Sequence, residues 1–520
     1  MLSLITFLPA IGALLIALIP REREGGIRSV AIAISLVTFA ISMGLFLTSS
    51  PAPGMQFEEK APWIPQIGIG YHIGVDGISI FLLLLTTFLV PLLLFAPWEA
   101  ICTRVKLFSM MLLILETAVI GLFVSLDLVL FYIFWEAMLI PMYFMIGIWG
   151  GERGSYAAIK FFLYTMATSV LMLVAIIMLY FAGGQTFDLL ELQKSGLDPL
   201  LQPWLFGAFV AAFAVKIPLW PFHSWLPDAY SEAPITATII LSALMSKAGL
   251  YGLIRFGLTL FPNSLLDFAP YLLILALIGI IYGALVAWAQ KDLKRLVAYS
   301  SISHLGLVAF GIFAFTTGSV AASSVFGATS VVTSSPSALS LSGSIFQMIN
   351  HGIIIAALFL ILAVLWDRFG KRGLDDFGGL AQKMPRFMAL FLIAMLASVA
   401  LPGTSGFVGE FLILLGAFWT QYQTFAIIAA AIGILSAVYM LWMTQRAFHG
   451  PVTELVEKRA RDLKMGEGWV LIPLVILILW MGIFPNLWLS HITPSVDNLI
   501  NQAKIRIELL EPPNQAKESP

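Results

Sequence analysis

Long, nearly unbroken apolar stretches separated by short polar turns set the pattern of this chain. A helix needs roughly 20 apolar residues to cross a ~30 Å hydrocarbon core. Fourteen stretches of that kind recur, at about 1–19, 27–48, 77–97, 107–126, 128–149, 160–182, 205–222, 236–260, 270–289, 297–315, 344–366, 387–418, 424–445 and 469–490. We number them spans 1 to 14. In lipid every backbone polar group must be satisfied within the segment, so the pattern predicts an all-α polytopic membrane protein. The first stretch lacks a basic leader, and Arg21 and Arg23 follow it, so it reads as a span and not as a cleaved signal. Residues 316–343, rich in Ser, Thr, Ala and Gly without charge, read as a mobile surface loop. Residues 491–520 read as an amphipathic or frayed tail without chemistry.

Composition narrows the class further. Of 520 residues 60% are hydrophobic and 11% charged, against ~45–50% and ~25% in soluble domains. Lys and Arg number 28 against 29 Asp and Glu, a net charge of −1. A disordered tail, a coiled coil and a nucleic-acid binder are excluded, since no basic face collects phosphates. The single cysteine, Cys102, excludes a disulfide scaffold and an iron–sulfur cluster held by this chain alone. No P-loop, no G-x-G-x-x-G after a strand and no His/Cys metal spacing is present, so any redox or ATP energy arrives from other subunits.

Charge also sets orientation. With the N-terminus outside, twenty Lys and Arg fall in inside loops, five in outside segments, and three (Lys216, Lys247 and Arg255) within spans. An odd error in the number of spans would scramble that bias, so both termini are expected on the outer or lumenal side.

Two spans are interrupted. Span 7 runs into AVKIPLWPFHSWLPDAYSEAP, and span 12 contains ASVALPGTSGFVGEF. Proline removes a backbone donor and clashes with the preceding turn. Broken backbone at membrane depth survives only inside protein or along a wet cavity, and paired breaks five spans apart mark two inverted repeats. The predicted organisation is 1–106 (helices 1–3), 107–260 (first repeat, helices 4–8), 261–449 (second repeat, helices 9–13) and 450–520 (last helix and tail).

Ionisable residues within these spans carry the chemistry. They are Glu116 in span 4, Glu136 in span 5, Lys216 before the first break, Lys247 in mid-span 8, His304 in span 10, His351 in span 11 and Glu410 after the second break. Each histidine lies about seven residues into its span, ~11 Å deep from opposite faces. A charge at mid-bilayer costs at least ~2.5–3.5 kcal/mol, an expensive way to build a scaffold. A lysine accepts no hydrogen bond and must be paired or neutral when buried. Arg255 reads as a structural pair or a snorkelling side chain. A Glu136–Lys216 pair at ~4 Å and a dielectric of ~20 would be worth ~4 kcal/mol. Moving a proton against ~100–200 mV needs ~2.3–4.6 kcal/mol, so a switched ion pair is a sufficient device.

Four motifs carry a resemblance: FYIFWEAMLIPMYFMIGIWG at 131–150, AVKIPLWPFHSWLPDA at 214–229, KDLKRLVAYSSISHLG at 291–306 and NHGIIIAALF at 350–359. Across roughly 70–450 the chain resembles the antiporter-like membrane subunits of proton-pumping NADH:quinone oxidoreductase, respiratory complex I and its photosynthetic relatives. Glu410 in G-F-x-G-E-F resembles the M type of these subunits, numbered 4 in mitochondria. The related antiporter-like subunits and the multisubunit cation/proton antiporters usually carry Lys there. The resemblance implies that Glu136 and Lys216 form the coupling pair. It makes Lys247 the central relay, His304 and His351 the passage to the second half-channel, Glu410 the terminal group and Glu116 a secondary carboxylate. It implies the order Lys216, Lys247, His304, His351, Glu410.

The resemblance further implies neighbouring antiporter-like chains in a lipid bilayer, protons as the transported species, a quinone site elsewhere, flavin or Fe–S in other subunits, and no cofactor or metal in this chain. The electron donor would be NAD(P)H or ferredoxin. General likeness leans to a cyanobacterial or plastid-type complex, with plastoquinone and a thylakoid membrane as alternatives to a bacterial inner membrane. One departure stands out: the family often reads W-L-P-D-A-H, whereas Tyr230 follows Ala229 here. A monovalent cation/proton antiporter subunit and a non-transporting scaffold are the competing readings.

Overall fold

The computed structural model describes residues 1–96, 103–316 and 335–510. Helices fill the chain as the apolar stretches predict. Every one of the fourteen falls on a helix or on a helix interrupted at a break, and ten helices are long and apolar enough by length and composition to cross a membrane. Their outer surface is apolar: Leu14, Phe181, Tyr271 and Ile434 are all more than 60% exposed. Such a surface is unfavourable in water and natural in hydrocarbon.

Both breaks are real. Span 7 consists of Gln202–Lys216 and Trp225–Glu232, joined by a turn. The turn frees carbonyl groups, and they are recaptured: Trp225 Nε1 donates to Val215 O at 2.9 Å and Leu219 N to Ala214 O at 2.8 Å. Span 12 consists of Pro385–Ser398 and Ser405–Phe418. Span 8 adds a feature without a sequence signal. Wide π-helical turns at Leu241–Met245 and Leu253–Gly257 flank the segment that carries Lys247. Such turns re-aim side chains and gather at functional sites.

Three expectations need correction. The chain is not wholly helical: β1 (Gln56–Ile64) pairs antiparallel with β2 (Ile69–Val75) in a hairpin between spans 2 and 3. Its strands are short, mostly exposed on β1 and rich in polar residues, so they read as loop. The segment 316–343 is not all loop, since span 11 begins at Pro336, with Ser335 Oγ capping Ala338 N. Its first two turns are Ser-rich but buried between spans 10 and 12, where serine packs as a small residue. The rest of that loop, 317–334, lies outside the described residues, as do Cys102 and 511–520. The tail is not frayed over 491–510, because a helix runs Asn486–Leu510. Arg506 anchors it, donating to Leu260 O, Leu192 O and Gln193 O at 3.0, 2.8 and 2.5 Å.

Charged groups sort to two ends, as the loop bias requires. At one end, the basic end, Arg153, Lys294, Lys371 and Arg372 line a common cavity. At the other, the hairpin end, lie the N-terminus, Lys60 and Arg506. There the buried His72 is held between two carboxylates, Asp188 at 2.7 Å and Glu58 at 3.1 Å, and Lys60 also reaches Asp188 at 2.7 Å. Burial opposes protonation of His72, but bonding to Asp188 and Glu58 outweighs it and raises its pKa above 6.5. Burial would likewise raise Asp188, but His72 and Lys60 hold it well below 3.8.

A raised histidine stabilises fully below its unfolded value and loses that contribution as pH climbs through the folded one. A lowered carboxylate contributes above its unfolded value and loses it on acidification. The hairpin is therefore held most firmly between pH 3.8 and 6.5 and loosens as pH rises through the folded value of His72. Intrinsic-rate-corrected hydrogen exchange of the β2 amides should accelerate between about pH 6 and about pH 9, and His72→Gln should flatten that dependence. A pH-independent wild type would refute it.

Candidate functional site

The site grows from close helix approach. At Gly249 a Cβ would come within 2.8 Å of Phe213 O, so glycine lets the end of span 7, with Lys216, lie against the Lys247 turn of span 8. At Gly352 a Cβ would come within 3.1 Å of Ala243 O, so glycine seats span 11 on the π-helical turn before Lys247. The neighbouring His351 thereby meets Lys247 directly, Nζ to Nδ1 at 2.7 Å.

Lys247 is fully buried. Its Nζ also donates to Ser242 O at 2.6 Å and lies 3.3 Å from Ser246 Oγ, so a cation here has three oriented partners and no carboxylate. When Lys247 holds the proton, Nδ1 of a neutral His351 accepts and Nε2 carries the ring hydrogen. Transfer across the 2.7 Å bond leaves a neutral amine and a charged imidazole. Nε2 of His351 has no protein partner. A cavity of about 10 Å³ lined by Ser300, His304, Gln347 and His351 lies against both histidines. That is the size of one water molecule.

The rings of His351 and His304 are 6.1 Å apart. Nδ1 of His304 donates to Glu410 Oε1 at 3.0 Å, and Tyr439 Oη donates to Nε2 at 3.3 Å. Gln347 Nε2 adds a weak contact to Glu410 Oε1 at 3.4 Å. The spatial order is thus Lys247, His351, His304, Glu410, which reverses the two histidines of the expected path. Counting depth along each helix put both at one level. Lateral order depends on which helix packs beside span 8, and that is span 11.

The other three predicted residues stand apart from this row. Lys216 Nζ makes no hydrogen bond and lies 4.8 Å from the Trp135 ring centre, a cation–π arrangement. It forms no ion pair with Glu136 within 4.0 Å, so the coupling pair is open, and Oε1 of Glu136 is unpartnered. Both oxygens of the buried Glu116 lack partners. Arg255 is the structural pair it was expected to be, with NH2 2.7 Å from Asp76 Oδ1.

Several residues were missed. Tyr439, Gln347, Trp135 and Tyr230 carry no signal in a sequence this rich in apolar and aromatic residues. Lys294 was counted as a loop charge but is only 8% exposed. Among the described residues no group of three His, Cys, Asp or Glu is placed to hold a metal ion.

A many-helix apolar bundle, broken at two spans around a buried row of titratable side chains, has the architecture of an ion-translocating membrane protein. The family described as NADH:quinone oxidoreductase/Mrp antiporter matches residues 125–340 and 323–436. "NADH-quinone oxidoreductase subunit M" of Rhodobacter capsulatus is 43% identical over 519 residues, covering 96% of each chain. A chain of respiratory complex I from Thermus thermophilus superposes with a TM-score of 0.84 at 31% identity, over 98% of this chain and 100% of that one. A chain of the Mrp complex from Dietzia shares the fold, with a TM-score of 0.81 over 98% and 99% of the chains, at 20% identity. The chain belongs to the NADH:quinone oxidoreductase/Mrp antiporter membrane family.

Proposed function

We propose that this chain is the proton-translocating membrane subunit, of the subunit M type, in a complex I-type NADH:quinone oxidoreductase. The observation that carries this reading is the buried row Lys247–His351–His304–Glu410, in which hydrogen bonds of 2.7 and 3.0 Å flank one ring-to-ring step. In this reading a proton leaves Lys247 for His351, crosses to His304 and reaches Glu410. Closing the Glu136–Lys216 pair biases Lys247 from the span 7 side, because a charge brought nearby changes which protonation state is favoured. Glu116 is a secondary carboxylate. The driving energy comes from redox in other subunits that hold flavin, Fe–S and the quinone site. Neighbouring antiporter-like chains complete the membrane arm.

The basic end faces inside and both termini face outside, following the charge bias. The two breaks divide the chain into repeats at 107–260 and 261–449. The Rhodobacter relative favours NADH and a bacterial inner membrane over plastoquinone and a thylakoid.

A cation/proton antiporter subunit is the second reading, favoured by the shared Mrp fold. Glu410 argues against it. Mild-detergent purification with iron, flavin and quinone assays separates the two. Abundant iron with NADH:quinone reductase activity is expected. An iron-free complex with cation-dependent proton exchange in vesicles would hand the case to the antiporter.

A further inference from the structure

The row from Lys247 to Glu410 leaves open how Lys247 is reloaded. A cavity of about 640 Å³ opens at the basic end, with Ser231, Glu232, Ala233 and Pro234 in its wall. These four residues form the turn between Trp225–Glu232 and span 8. Lys294, in the same wall, donates to Ala233 O at 2.6 Å and Ser231 O at 3.2 Å, and Arg372 donates to Ser231 O at 3.0 Å. Two cations therefore clamp the turn. The residue immediately inward is Tyr230, fully buried, with its ring edge-on to Trp225 and Phe359. Its hydroxyl faces Ser246 yet closes no hydrogen bond. Ser246 Oγ is in turn 3.3 Å from Lys247 Nζ. A buried hydroxyl left unpaired costs ~1–3 kcal/mol, far more than phenylalanine in the same place.

Resting on the relay reading above, we propose that Tyr230 and Ser246 form the intake leg of Lys247, passing protons from the basic-end cavity. After Lys247 has given its proton to His351, its neutral amine accepts the Ser246 hydroxyl proton. Ser246 takes the proton of Tyr230, and Tyr230 takes one from cavity water. Each O–H that breaks is remade, and neither oxygen keeps a charge. Ser246 Oγ donates to Ser242 O in this structure, at 2.8 Å, so it must rotate to serve Lys247. The open Tyr230–Ser246 gap is the step at which intake is gated. Lys294 and Arg372 are positioning residues.

The test uses the intact complex in vesicles. Tyr230→Phe keeps the ring and its packing and removes only the hydroxyl. NADH oxidation by an artificial acceptor, which needs no proton pumping, should be unchanged. Proton translocation should fall about tenfold, within the effect expected for a lost proton-transfer group. Ser246→Ala should do the same. Tyr230→His, which can relay protons, should recover most of the rate, a rescue that a purely structural role would not produce. If both hydroxyl deletions pump as wild type while Lys247→Ala does not, the intake leg is refuted and the relay survives. If Lys247→Ala also pumps normally, the relay itself fails. Should Tyr230→Phe not assemble, Ser246→Ala alone decides.

Discussion

Replacing Lys247 with alanine is expected to cut redox-driven proton translocation by about 10²-fold, the low end for removal of a positioned acid–base group. The reason is geometric. Lys247 Nζ is the atom that joins the Ser242–Ser246 turn of span 8 to His351, at 2.6 and 2.7 Å. Alanine leaves a gap that side chains on either side do not fill. Lys247→Arg is the more informative variant. It keeps the positive charge and the donors but does not deprotonate at any accessible pH. A charge that merely anchors helices would tolerate arginine, whereas a relay would not. Both variants should assemble and should oxidise NADH with an artificial acceptor at the wild-type rate. Normal proton uptake by Lys247→Arg vesicles would reduce Lys247 to an anchor.

Asp76→Ala should destabilise the chain by roughly 3–5 kcal/mol, the usual cost of stripping one partner from a buried ion pair. Asp76 Oδ1 accepts from Arg255 NH2 at 2.7 Å, and it also accepts from Ile78 N and Ser79 N at 3.1 and 3.0 Å at the start of span 3. Arg255 projects from the second π-helical turn of span 8, and its Nε donates to Tyr251 Oη at 3.2 Å. Tyr251 Oη then donates to Phe123 O at 3.0 Å. One carboxylate thus ties span 3 to span 8, and Arg255 and Tyr251 extend the tie to span 4. The loss would be read as a lower thermal midpoint of the detergent-solubilised complex and a smaller assembled fraction. Asp76→Ala with Arg255→Leu should recover part of it, because the uncompensated guanidinium is gone. A single variant that melts with the wild type would show the pair to be dispensable.

The two predictions probe groups that the sequence treats alike. Lys247 and Arg255 are both cations in span 8, and both look anomalous in an apolar helix. Their roles diverge because of what faces them. Arg255 meets a carboxylate and is neutralised in place. Lys247 meets a histidine, which shares a proton without fixing it.

Much of the fold was legible because hydrocarbon leaves a chain few choices. Helix positions, the breaks in spans 7 and 12 and the loop-charge bias follow from burying backbone polar groups and from the cost of moving charge into lipid. The hairpin was illegible because its short, polar strands gain their pairing from each other and from His72, Asp127 and Asp188, which are remote in sequence. All seven proposed relay residues could be named from the sequence, since an ionisable group in an apolar span stands out. Their order could not. Contact between Lys247 and His351 depends on spans 8 and 11 packing closely at Gly352, and the gap at Glu136 and Lys216 depends on where Trp135 sits. Sequence by itself determined which residues the lipid forbids to be idle, because transfer free energy is a property of each segment. Only the tertiary structure decided which of them touch, because a proton hop is a property of a distance between helices.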